Sequence, residues 1–171
     1  MRRMLATAEE AIDIYAGIQG DKKTAEYYLL NYAKELKAYQ DAKEEFMNYK
    51  EQRDENTGGG RAGVGNPTEQ IAMKSIEFDS NYPNFRWLKA VEIVQRGLGE
   101  RKNMFIKVRR EAEQLHNIGR GRKGWVVYVQ RHYSEEIEKR FIIPEVWISE
   151  RTIKTWWQEI IDRTVFVVNK I

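Results

Sequence analysis

Apolar residues recur along most of this chain with the three-and-four spacing of an amphipathic helix, and no stretch alternates apolar and polar residues between hairpin turns. Thr7 can cap a short helix over 8–18, where Ala8, Ala11, Ile12, Tyr15 and Ile18 share a face and Gly17 and Gly20 weaken the end. Asp21 is then expected to open a long helix to about residue 53. Its seam, Leu29, Tyr32, Leu36, Tyr39 and Phe46, is broken by Lys43 and suits a partner helix in the same chain or in a second copy. Beyond residue 66, helices are expected over 68–78 (with Ile71, Met73, Ser75 and Ile76), from Phe85, and over 100–115. The helix from Phe85 would bury Leu88, Val91, Ile93 or Val94, and Leu98; the next would bury Met104, Phe105, Val108, Ala112 and Leu115. Trp125-Val-Val-Tyr-Val129 has high strand propensity, yet Trp125, Tyr128, Val129 and Tyr133 also fit helical spacing, and a buried helix is the reading that agrees with its neighbours.

Glycine and proline punctuate this pattern. Five of the eleven residues in 56–66 are glycine, too costly in backbone entropy for helix or strand, which makes this stretch a linker. It is not a phosphate-binding loop, because no Gly-Lys-Ser/Thr ends it and no buried strand precedes it. Asn66 can cap a helix beginning at Pro67, and Asn81-Tyr-Pro-Asn84 reads as a turn. The expected organisation is therefore all-α: a helical bundle with a long N-terminal helix and a C-terminal helix-turn-helix. It divides into an N-terminal helical region (1–55), the linker (56–66), a helical middle region (67–118) and a C-terminal helix-turn-helix region (119–171).

Charge sharpens this outline. Residues 1–85 hold 11 Lys/Arg against 15 Asp/Glu, whereas residues 86–171 hold 18 against 11, so the C-terminal half is the one suited to a polyanion. The absence of cysteine excludes disulfides and thiolate metal sites and fits a reducing cytoplasm. No run approaches the roughly 18 apolar residues of a membrane span.

The segment from Trp147 to Ile161 carries the functional signal. Ser149 is a good N-cap, Ile148 can staple against Ile153, and Ile153, Trp156 or Trp157, Ile160 and Ile161 fall on one face. Both tryptophans read as core rather than as base-stacking groups. The opposite face presents Arg151, Thr152, Lys154, Thr155 and Gln158, short polar and cationic groups that with Ser149 suit a major groove, while Glu159 and Asp162 would face away from phosphates or help limit non-specific binding. A short helix over about 134–142 would cross the DNA backbone. Upstream, Arg120, Arg122 and Lys123 lie in a glycine-containing loop that could grip phosphates without reading sequence, with Arg109 and Arg110 adding to it.

Two places resemble the RinA/ArpU-type family of phage late transcriptional regulators. Ile148-Ser-Glu-Arg-Thr152 is similar to the start of that family's recognition helix, and Asn56-Thr-Gly-Gly59 followed by Thr68-Glu-Gln-Ile-Ala72 is similar to its upstream motifs. The resemblance covers about residues 25–168 and implies a C-terminal domain like the promoter-reading part of a sigma factor, contact with host RNA polymerase, and activation of late packaging or lysis genes. Pro144 departs from the family, because it falls where the first helix of the motif would still be running.

The function expected is thus sequence-specific binding of double-stranded DNA in transcription regulation. A small terminase-type packaging subunit and a helical interaction module without DNA binding are the alternatives. Self-association would run through the long N-terminal helix. An enzyme, a cofactor and a metal are not expected: His116 and His132 have no motif partner, and Glu9-Glu10, Glu44-Glu45 and Glu135-Glu136 are adjacent pairs that diverge by about 100° on a helix.

Overall fold

The computed structural model describes the backbone of residues 8–55, 67–115, 124–141 and 147–171, and the side chains of 17–48, 68–115, 124–141 and 147–171. The Thr7 and Asn66 caps, the glycine-rich linker, His116, the loop bearing Arg120, Arg122 and Lys123, and Pro144 fall outside these residues. Six helices and no strand occur among the described residues: α1 (Ala8–Glu55), α2 (Pro67–Asn81), α3 (Phe85–Gly97), α4 (Glu100–Gln114), α5 (Gly124–Phe141) and α6 (Glu150–Val168). The chain is an all-α bundle with a long N-terminal helix, and no described helix is long and apolar enough to cross a membrane.

One correction concerns α1, which runs without a break through Gly17 and Gly20. Each glycine costs about 1 kcal/mol relative to alanine in a helix interior, which flanking turns and tertiary packing outweigh. Just beyond them Ala25, Tyr28 and Leu29 are buried, and α1 packs against α3, α4 and α6. The expected seam is spent inside the chain. Leu29 is in the core, Tyr39 packs against Phe78, Tyr82 and Phe85, and Phe46 against Phe78.

The turn between α2 and α3 forms where Asn-Tyr-Pro-Asn suggests it. Asn84 adopts φ 65°, a left-handed conformation that asparagine tolerates better than most residues. Between α3 and α4 the side chain of Asn103 donates to the carbonyls of Gln95 (2.9 Å), which also accepts the Leu98 amide, and of Leu98 (3.1 Å), tying the start of α4 to the end of α3. Val94 rather than Ile93 is the buried member of its pair, and Leu115, expected inside, is exposed at the end of α4.

The segment from Trp125 is helical. Val126, Val129, Tyr133 and Ile137 are buried at helical spacing, while Trp125 and Tyr128 pack at its margin. Helical period prevails over β-branched propensity because an adjacent helix, α4, covers this stripe. The separate short helix expected over 134–142 is the C-terminal half of α5 instead. One core joins α1, α3, α4, α5 and α6, with Phe105, Ile106, Val108, Ile153 and Ile160 fully enclosed. Burial of a side chain such as Ile153 is worth about 1.5–3 kcal/mol.

Candidate nucleic-acid interface

Helix α6 begins at a well-formed cap. The Ser149 hydroxyl accepts from the amide of Thr152 at 3.0 Å and lies 2.8 Å from the Thr152 hydroxyl. Both hydroxyls therefore shape the helix start before they can touch any ligand. Ile148 is buried just ahead of the cap, and its carbonyl accepts from Gln130 Nε2 of α5 at 3.0 Å. This bond fixes the entry of α6 to the middle of α5.

From there the helix divides into two faces. Ile153, Trp157, Ile160, Ile161, Thr164 and Val168 are buried. Trp157 is the more deeply packed of the two adjacent tryptophans, whereas Trp156 lies partly buried against Phe105 and Tyr133. On the other side Arg151, Lys154, Thr155 and Gln158 are exposed, with Thr152 half-buried at its edge. Arg151 forms no ion pair with a described residue, whereas Lys154 pairs with Glu150 at 2.5 Å within the first turn.

Acidic groups share this surface. Gln158 donates to Asp162 at 3.0 Å, so Asp162 lies on the same edge rather than turning away from it. Asp162 in turn pairs with Lys22 of α1 at 2.8 Å, and Glu159 with Lys102 of α4 at 2.9 Å. Both carboxylates are thus paired with lysines from neighbouring helices, which leaves the excess of positive charge at the N-terminal end, around Arg151.

Two arginines expected near the phosphate-gripping loop do something else. Arg109 is only 4% exposed; its guanidinium lies 4.5 Å from the ring centre of Trp125 and 5.3 Å from that of Trp157, and it pairs with Glu113 at 2.8 Å. Arg110 donates to the Leu29 carbonyl at 2.7 Å, and burial pushes its pKa below the usual arginine value. Each is a packing cation joining α4 to other helices. Nothing in the residue order betrays this, since arginine on an amphipathic helix is ordinarily solvated.

His132 sits 3.0 Å from Glu135 and against Tyr128, at the side of α5. No group of three metal-ligating side chains assembles among the described residues. The pair α5–α6 occupies the place of the expected helix-turn-helix, and residues 142–146 between them lie outside the described residues. No protein-family model, curated protein or solved structure matches the chain.

Proposed function

We propose that this chain binds double-stranded DNA sequence-specifically as a transcriptional regulator, with α6 as the helix that enters the major groove. The observation that carries the reading is the division of α6: Ile153, Trp157, Ile160 and Ile161 hold it in the core, while Arg151, Lys154, Thr155 and Gln158 stand in solvent along its first turns. A recognition helix needs this combination, because its base-reading groups must protrude from a support that does not yield. Arg151 would pair with phosphate or with a guanine edge, and Gln158 and Thr155 have the length and donors for groove contacts. Arg120, Arg122 and Lys123, which precede α5 in the sequence, would add phosphate contacts.

The resemblance to RinA/ArpU-type regulators extends the proposal to activation of phage late genes in a bacterial host cytoplasm, together with host RNA polymerase. Self-association through the α1 seam gains no support, since Leu29, Tyr39 and Phe46 are engaged within the chain. The test is sequencing of DNA captured by the full chain from phage-infected cells. Enrichment upstream of packaging or lysis genes that disappears in Arg151→Ala/Lys154→Ala supports the reading. Enrichment inside a packaging gene would point to a packaging subunit, and no enrichment would refute DNA binding.

A further inference from the structure

Grooves open between helices in several places, and their charges set one of them apart. In the groove between α4 and α5, Arg140 pairs with Glu100, and Lys107 and Lys139 with Glu136. In the groove between α1 and α3, Lys89 pairs with Glu92, and Asp79 with Lys43. Cations and carboxylates there satisfy one another. A third groove, of about 480 Å³, lies where the end of α2 and the start of α3 meet the end of α6. That volume is ordinary for a small-molecule site, about 300–1,000 Å³. Ile76, Tyr82, Phe85, Trp87 and Val168 form apolar wall, and Arg86 is the only cation among its described lining residues.

The aromatic walls are held from behind by α1. Trp87 stacks on Tyr28 with ring centres 6.2 Å apart, and Tyr82 and Phe85 pack on Tyr39 at 5.2 and 5.3 Å. Arg86 is tethered as well: its Nη2 donates to the Val168 carbonyl at 2.8 Å, yet it forms no ion pair with a described residue. A guanidinium carries five N–H donors, so this one bond leaves others for an anion. Asp79, the acid on the same groove, is already held by Lys43 at 2.7 Å and by the Tyr39 hydroxyl at 2.5 Å. A tethered arginine without a carboxylate, beside three supported rings, suits a planar ring that bears an anionic group. Charge decides which anion: one cation near a carboxylate balances a monoanion, not a phosphate ester close to −2.

We infer that this groove is a binding site for a small aromatic carboxylate, which lays its ring against Trp87 and Phe85 and its carboxylate on the Arg86 guanidinium. Val168 ends the same helix that Arg151 begins, so the site lies about 25 Å along α6 from the proposed DNA edge. It is independent of the DNA-binding reading.

The test is titration of the isotope-labelled full chain with cinnamate, and with cinnamamide as its uncharged counterpart, followed by amide chemical shifts. Cinnamate should shift the amides of Arg86, Trp87 and Val168 saturably, with a Kd below about 1 mM. Arg86→Gln should weaken cinnamate by about tenfold or more, the usual scale for a hydrogen bond to a charged group. Cinnamamide should bind the native chain about tenfold more weakly than cinnamate and should not distinguish Arg86→Gln from it, whereas a general loss of shape would weaken both compounds. Ile76 is 65% exposed, so Ile76→Glu leaves the core untouched and sets an anion on the rim. It should weaken cinnamate and spare cinnamamide, and it alone decides if Arg86→Gln melts early. Native shifts that do not saturate or fall elsewhere, or equal binding of cinnamate by the native chain and Arg86→Gln, would overturn the site. Tighter binding of phenyl phosphate than of cinnamate would overturn the carboxylate class.

Discussion

The indole N–H of Trp157 donates to Glu26 at 2.8 Å, joining α6 to α1 across 131 residues of sequence. The same indole forms one side of the Arg109 site, so α1, α4, α5 and α6 meet around a single tryptophan. The exposed edge of α6 is therefore braced from behind, and disturbance of Trp157 should be felt both in stability and in the presentation of Arg151.

Replacing Trp157 by Phe should destabilise the chain by about 1–3 kcal/mol, from removal of the hydrogen bond and the space left by the smaller ring. Glu26 is only half-buried and can rehydrate, which keeps the cost out of the range of a stranded charge. Chemical denaturation followed by circular dichroism measures it; a change below about 0.5 kcal/mol, the lower end for one hydrogen bond, would contradict the role given to this interaction.

Arg109 should prove structural. Arg109→Ala removes a buried cation and its packing and should cost about 3 kcal/mol, while Arg109→Met, which keeps the stem, should cost less than half as much. Neither should change the salt slope of DNA binding if the fold persists. A lowered slope in Arg109→Met would return this residue to the phosphate-contacting set.

Ser149→Ala should cost about 1 kcal/mol by leaving the Thr152 amide uncapped, and Ser149→Asp should restore it. Equal melting temperatures for the native chain and Ser149→Ala would show that the cap is dispensable.

The packing of α1 on α2 should weaken in alkali. Burial and then the 2.5 Å hydrogen bond to Asp79 hold the Tyr39 hydroxyl above its ordinary pKa. Burial disfavours the Lys43 ammonium, but its hydrogen bonds to Asp79 and Tyr39 outweigh this and raise its pKa too. For groups raised on folding, the stability is fully present below the unfolded values, about 10.0 and 10.5, and is lost as pH rises past them. Between pH 9 and pH 11 the native chain should lose more melting temperature than Tyr39→Phe, in which that titration is absent. An equal decrease in the two would remove this network from the account.

How far the sequence is readable depends on what each residue's neighbours in space contribute. Ser149 and the spacing of Ile153, Ile160 and Ile161 define α6 because caps and helical period are local properties. Adjacent Trp156 and Trp157 cannot be ranked by spacing, since one helical step separates them and only the positions of α1 and α4 make the second the deeper. Gly17 and Gly20 suggest a break because local propensity counts their cost and not the bundle that α1 joins just beyond them. Arg109 reads as a phosphate contact in the sequence because its burial between Trp125 and Trp157 is assembled from three helices. Lys22 and Lys102, which pair with Asp162 and Glu159, are invisible as parts of the α6 surface for the same reason.

The central claim is that the solvent edge of α6 meets duplex DNA through its cations. Its most direct measurement is the slope of log binding constant against log salt concentration for the native chain and for Arg151→Ala/Lys154→Ala. The account predicts a steep negative slope for the native chain, reduced by about two units in the double variant, at about 0.9 for each phosphate no longer neutralised. A native chain that retards no duplex at low salt, or a double variant with an unaltered slope, would contradict it.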